Sequence, residues 1–158
     1  MTRITFSLSE NSIDNTIVKL IEHKHLIDSK CNLLAERLAT LGATVSSLGF
    51  SRAFYEGKND VEITVVQRPK GYSIHANGEA VCFIEFGTGV GATSPHGAEL
   101  GFTPGSWSVD HAKQFSEKGY WYYNGHKLVG STPGNYMYNA GKEMQEQITK
   151  IAKEVFKK

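Results

Sequence analysis

The fold is decided first by the stretch NSIDNTIVKLIEHKHLIDSKCNLLAERLATLG at residues 11–42. Its apolar residues recur at alternating steps of four and three, which is the spacing of one face of an α-helix. A serine at position 9 or 12 can cap the start, and Gly42 follows the last periodic residue. The stretch predicts an N-terminal helix of about 30 residues, roughly 45 Å long. Nine positions share this face, and all except Lys24 are apolar; they are Ile13, Ile17, Leu20, Lys24, Ile27, Cys31, Leu34, Leu38 and Leu41.

Beyond Gly42 the hydrophobic period changes to two, which is typical of β-strands. Turn-forming residues separate the extended runs, and Asn77-Gly78 is the strongest hairpin signal because both positions of such a turn need a positive φ. The pattern predicts a four-stranded antiparallel meander whose last strand is central or covered. The four predicted strands are residues 44–55, 61–67, 71–76 and 80–86.

The second half of the chain predicts a long arm followed by a C-terminal helix. Residues 87–132, called the arm below, are rich in glycine and contain both tryptophans, and a second hairpin is predicted around Asn124-Gly125. A helix should begin at Pro133, capped by Thr132, and pack on the sheet. The prediction is therefore one α+β domain over residues 1–158: helix region 1–42, sheet 43–86, arm 87–132 and C-terminal helix 133–158.

Composition narrows the function. The chain has 17 Lys and Arg against 16 Asp and Glu, a formal net charge of +1, which disfavours a broad basic surface for nucleic acid. Two cysteines do not make a disulfide framework. No apolar run approaches the length of a membrane span, and the first residues lack the apolar core of a signal peptide. We expect a soluble intracellular domain that binds no membrane.

Few residues predict catalytic or cofactor chemistry. The six histidines are scattered, so no metal site is expected. The glycines at 87–91 precede a proline rather than a helix, which argues against a nucleotide fingerprint. Asp110 and His111 are adjacent, but no serine lies in a G-x-S-x-G elbow. The chain is predicted to be no enzyme and to need no cofactor.

Glu85 is the unusual residue, because it lies between Ile84 and Phe86 in the most apolar predicted strand. A buried carboxylate must be paired, hydrogen-bonded or protonated. Four readings stay open: an exposed position, a partner for backbone amides near Gly87, a contact across a subunit boundary, or a catalytic acid. The alternatives of another class are a small hydrolase using Glu85 or His111, and a nucleic-acid-binding module using the aromatic residues of the arm.

Two phrases carry a resemblance to a known family. AVCFIEFGTG at residues 80–89 and PGNYMYNAGKEM at residues 133–144 resemble the head–tail joining, or tail-completion, proteins of long-tailed bacteriophages and prophages. In that family a strand ending in an Ile-Glu-Phe-Gly-Thr-Gly phrase leads into a variable loop. A proline, a large apolar residue and an alanine then open the last helix, and here these fall on Pro133, Met137 and Ala140. The arm is longer than in many members.

The resemblance implies a virion structural protein of the neck or tail that assembles as a ring and has no catalytic residues. A tail terminator or a head-side adaptor is the alternative within this class. The implied partners are further copies of the chain and neighbouring neck and tail proteins, and double-stranded DNA passes through without sequence-specific binding. The implied location is the virion, with assembly in the host cytoplasm. Ring contacts need two different faces on each subunit, and the expected interface residues are Glu85, Phe86, Gly87, Gly89, Trp107, Trp121, Tyr122 and Tyr123.

Overall fold

The computed structural model describes residues 7, 9–53, 58–87, 95–100, 120–123, 126–129 and 131–157. The elements in chain order are α1 (Glu10–Arg52), β1 (Glu62–Arg68), β2 (Gly71–Asn77), α2 (Val81–Phe86), α3 (Pro95–Glu99), β3 (Tyr120–Tyr123), β4 (His126–Val129) and α4 (Tyr136–Phe156). The described part is helix-rich, with two separate two-stranded sheets. The predicted four-stranded meander is wrong.

The N-terminal helix is much longer than predicted. α1 has 43 residues, roughly 65 Å, and it continues through most of the segment predicted as the first strand. The hydroxyl-bearing residues of this segment fit the helix because their side chains donate to carbonyls one turn back: Thr44 to Thr40 at 2.8 Å and Ser46 to Gly42 at 2.8 Å. Gly42 does not end the helix but lies buried within it.

The second and third predicted strands are confirmed as one hairpin. β1 and β2 pair antiparallel from Glu62 opposite Asn77 to Arg68 opposite Gly71, so that residues 69 and 70 form the turn. Gly71 has a φ of 140°, a conformation that residues with a side chain rarely adopt. The hairpin packs against α1, and residues 65–70 at its turn end are exposed on both faces.

The fourth predicted strand is wrong, because residues 81–86 form the short helix α2. The Asn77-Gly78 turn joins β2 to this helix instead of joining two strands, and Gly78 has a φ of 138°. The Asp60 carboxylate accepts hydrogen bonds from the backbone N–H groups of Glu79 at 2.8 Å and Ala80 at 3.0 Å. Both amides lie immediately before the first residue of α2, so the carboxylate anchors the start of a helix whose apolar sequence by itself favours a strand.

The hairpin predicted around Asn124-Gly125 is present as β3 and β4, which pair from Tyr120 opposite Val129 to Tyr123 opposite His126. The helix α3 precedes this hairpin. The remainder of the arm lies outside the described residues.

The C-terminal helix begins at Tyr136 rather than Pro133, so Thr132 is not its cap. The prediction that it packs on the sheet is wrong, because α4 runs antiparallel along α1: Tyr136 lies at Gly49, Met144 at Gly42 and Phe156 at Lys30. A Cβ added at Gly42 would lie 2.6 Å from the Met144 sulfur. The two helices therefore approach through a seam of small residues on α1, namely Ala35, Ala39, Gly42, Ser46 and Gly49.

The core lies where α1, the β1–β2 hairpin, α2 and α4 meet. Phe50, Ala80 and Ile84 are buried at its centre, and Val61, Ile63 and Tyr136 are among the residues packed around them. The rings of Phe50 and Tyr136 meet edge to face, with 5.4 Å between their centroids. The core thus fixes α2 against the start of α4.

Candidate functional site

The two phrases that carry the resemblance lie against each other. The amide of Gly134 donates to the carbonyl of Ile84 at 2.8 Å, and the amide of Asn135 donates to the carbonyl of Glu85 at 3.0 Å. These bonds join α2 to the segment immediately before α4, about 50 positions further along the chain. We call this region the α2–α4 junction, meaning residues 84–87 and 133–138.

The Glu85 carboxylate caps α4. Oε2 accepts from the amide of Met137 at 3.0 Å, and Oε1 accepts from the amide of Tyr138 at 3.2 Å. These are the second and third residues of the helix, whose N–H groups have no acceptor within the helix. The usual N-cap residue, Asn135, has a left-handed backbone with φ 51° and makes no side-chain capping bond. Glu85 takes over that role from a distant part of the chain.

Electrostatics favour this arrangement. Glu85 is 3% exposed, and an isolated buried carboxylate would be costly. Here the charge lies at the N-terminal end of a 21-residue helix, where aligned peptide dipoles favour an anion. Of the readings left open by the sequence, the structure supports a partner for backbone amides, although the amides belong to α4 and not to the residues near Gly87.

Close packing at the junction depends on a glycine with an unusual backbone. Gly87 has a φ of 75°, and a Cβ there would lie 2.8 Å from the Pro133 nitrogen. Only glycine combines that backbone conformation with that approach. Phe86 and Gly87 are both buried, so the end of α2 lies inside the described fold.

A small aromatic group lies beside the junction. The His96 ring of α3 stacks on Tyr138 with 4.5 Å between centroids, and Phe86 lies 6.2 Å from His96 on the other side. The Lys142 ammonium lies 4.6 Å from the centroid of the Tyr138 ring, within cation–π range. These contacts hold α3 to α4.

A polar cluster on the β1–β2 hairpin resembles part of a catalytic site. Ser73 Oγ lies 3.0 Å from His75 Nε2, which is the distance of a nucleophile–base pair. Arg68 contacts both side chains, donating to Ser73 at 3.0 Å and lying 3.4 Å from the His75 nitrogen. Catalytic triads hold the base with a carboxylate, whereas the charged group beside His75 in this cluster is the Arg68 guanidinium. The cluster therefore does not reproduce the arrangement of a serine hydrolase.

The remaining predicted site residues are only partly described. Trp121, Tyr122 and Tyr123 lie in β3, but their side chains are outside the described residues. Gly89, Trp107 and the hydrolase candidates Asp110 and His111 lie outside them altogether.

Neither a metal site nor a nucleophilic Cys82 is indicated among the described residues. No group of three or more His, Cys, Asp or Glu side chains in the described ranges is placed to hold a metal ion. Burial and the nearby Glu85 carboxylate raise the pKa of the Cys82 thiol, which makes the reactive thiolate less abundant.

The N-terminal part of α1 carries exposed apolar side chains. Large apolar side chains on the N-terminal half of the helix are 40–53% exposed; they are Ile13, Ile17, Val18, Leu20, Ile21, Leu26, Ile27 and Leu33. The signal was present in the sequence as an apolar stripe longer than any later helix could cover.

Comparison of the chain with protein-family models, with curated proteins and with solved structures gives no match. Among the described residues, no helix has the length and apolar character needed to cross a membrane.

Proposed function

We propose that the chain is a structural subunit of the neck or tail of a long-tailed bacteriophage or prophage particle. In this role it forms part of a ring that joins heads to tails or completes the tail. The class of particle comes from the resemblance of residues 80–89 and 133–144 to the tail-completion proteins.

The observation that carries the proposal is the use made of Glu85. It is the one carboxylate in the first phrase, and both its oxygens accept backbone amides of α4. The resembling phrases therefore act as architecture that fixes the last helix. Architecture of this kind suits a family whose members work by shape and contact, and it gives the Glu85 carboxylate, which is 3% exposed, a structural role.

The charge balance also supports the proposal. A ring through which DNA slides should not hold phosphates tightly, and the net charge of +1 limits the electrostatic part of nucleic-acid affinity. Sequence-independent binding would otherwise slow passage of the DNA.

The test is genetic. The reading frame is interrupted early in an inducible prophage that carries it, and the particles produced are viewed by negative-stain electron microscopy. We expect separate heads and tails, with joined particles restored by the wild-type gene supplied in trans. Particles of normal form and infectivity would contradict the proposal.

The same images separate the related roles. Tails of uncontrolled length would indicate a tail terminator, and heads that lack all neck density would indicate a head-side adaptor. Purified chain that hydrolyses cell-wall or nucleic-acid substrates, or that binds DNA strongly at low salt and weakly at high salt, would instead favour an enzyme or a nucleic-acid-binding module.

A further inference from the structure

The seam of α1 that α4 covers continues past the end of α4. Starting at Gly49 and moving toward the N-terminus, steps of three and four lead through Ser46, Gly42, Ala39, Ala35, Cys31, Asp28, Lys24, Leu20, Ile17 and Ile13. The ten steps cover 36 residues, an average of 3.6, so all of these positions lie on one helix face. In the described residues, α4 reaches only as far as Lys30, which lies over the Phe156 ring at 5.7 Å.

The uncovered part of this face begins with two charged residues, Asp28 and Lys24, and is apolar beyond them. Ile13 is 41% exposed, Ile17 49% and Leu20 52%, with Ile21 beside them at 50%. We call these four residues the free stripe. An exposed apolar face in line with a helix–helix seam is typical of a surface that another helix covers.

We propose that the free stripe is covered by the free stripe of a second copy of the chain, with the two α1 segments antiparallel over residues 10–28. In that dimer the α1 helix of the second copy lies in line with α4 of the first copy. Like α4, it runs antiparallel to α1 of the first copy.

Charge at the helix ends supports this direction. In the antiparallel pairing over residues 10–28, Glu10 and Asp14 of one copy meet the end of the other copy's α4, where Lys150, Lys153 and Lys157 outnumber Glu154. The same register places Asp14 opposite Lys24, an attractive pair, and Glu10 opposite Asp28, a repulsive one. The partner's helix N-terminus also faces the C-terminus of α4, so the helix dipoles attract as well.

The size of the contact sets the expected affinity. An overlap of 19 residues is roughly 28 Å long, and two helices in contact over that length bury on the order of 1,000 Å² in total. This is the lower end of specific interfaces. We therefore expect a reversible dimer with a dissociation constant in the micromolar range.

The experiment is sedimentation of the purified chain from about 1 to 200 μM. The wild type should pass from monomer to dimer, and the double variant Ile17→Glu/Leu20→Glu should stay monomeric with unchanged helix content by circular dichroism. Asn15→Glu is the matched control, because residue 15 is exposed on the opposite side of the same turns. This variant should dimerise as the wild type does.

A distance measurement tests the direction. Cys31 is exposed and Cys82 is half-buried, so a Cys82→Ala variant carries one spin label at Cys31. The antiparallel dimer places the two labels roughly 35 Å apart, since each lies about 12 residues from the centre of the overlap; parallel helices would bring them within about 15 Å.

The inference is overturned by a wild type that stays monomeric at 200 μM, as it would if residues 101–119 of the same chain or a different protein covered the stripe. It is equally overturned by self-association that survives the double substitution, or by labels within 15 Å. The inference does not depend on the proposed function, because sedimentation and particle morphology are independent measurements.

Discussion

Removing the Glu85 carboxylate should destabilise the protein through the N-terminus of α4. In Glu85→Ala the amides of Met137 and Tyr138 lose their acceptors. Each buried donor left unsatisfied costs about 1–3 kcal/mol. Both residues are half-buried, so water recovers part of this loss, and we expect a net cost of about 3 kcal/mol.

Glu85→Gln separates the charge from the hydrogen bonds. The amide keeps one acceptor oxygen but turns an NH₂ group toward a backbone donor, and it loses the interaction with the helix dipole. We expect a cost of about 1–2 kcal/mol, between the wild type and Glu85→Ala. The matched control is Glu36→Gln on the exposed side of α1, which should change stability by less than about 0.5 kcal/mol.

Two measurements check these values. In thermal unfolding, 1 kcal/mol corresponds to roughly 2–4 °C for a chain of this size, so Glu85→Ala should lower Tm by roughly 6–12 °C. Amide hydrogen exchange should then show lost protection at Met137 and Tyr138 and unchanged protection in the middle of α1. The capping argument is refuted if both Glu85 variants melt with the control, or if protection is lost evenly along the chain.

Three further predictions concern two helix glycines and the Asp60 carboxylate. Gly49→Ala should cost about 1–3 kcal/mol in chemical denaturation, because the new Cβ meets the Tyr136 ring; an unchanged midpoint would mean that α4 does not approach α1 closely there. Gly141→Ala should stabilise by about 0.5–1 kcal/mol, because its Cβ meets open space in a helix interior, and a destabilised variant would contradict the described exposure. Hydrogen bonds from the Ala80 and Glu79 amides lower the pKa of Asp60. The stability that Asp60 contributes is therefore fully present above the ordinary carboxyl pKa of about 4 and is lost as pH falls through the lower folded value. Asp60→Asn should be less stable than the wild type at pH 7, and the two should converge in strong acid; a gap that persists there would exclude this linkage.

Local signals predicted the elements whose reasons are local. The β1–β2 and β3–β4 hairpins follow from turn residues flanked by strand-forming residues. The beginning of α1 follows from its apolar period. In each case the residues that determine the element lie within a few positions of one another.

The errors have a common physical origin in contacts between distant residues. Gly42 was interpreted as a helix end, yet it is a helix-interior glycine that lets Met144 approach. Residues 81–86 have the composition of a buried strand but form a helix, and the Asp60 carboxylate, about 20 positions earlier, accepts the amides of the two residues immediately before it. A propensity is a weak preference that one well-placed tertiary contact overrides.

Glu85 shows how far sequence reasoning reaches at a site. A carboxylate buried among apolar residues needs a group that stabilises its charge. Backbone amides were one of the four interpretations of Glu85 that the sequence allowed. Which amides they are depends on a fold that brings residue 85 to residues 137 and 138. α4 begins at Tyr136 and not at Pro133 because the amides of Gly134 and Asn135 donate to carbonyls of α2 and Asn135 has a left-handed backbone. The Glu85 carboxylate then accepts the amides of the second and third residues of the helix. The Glu85 carboxylate therefore joins α2 to the first turn of the last helix, and α4, which ends at Phe156, leaves the part of α1 before Lys30 uncovered by it.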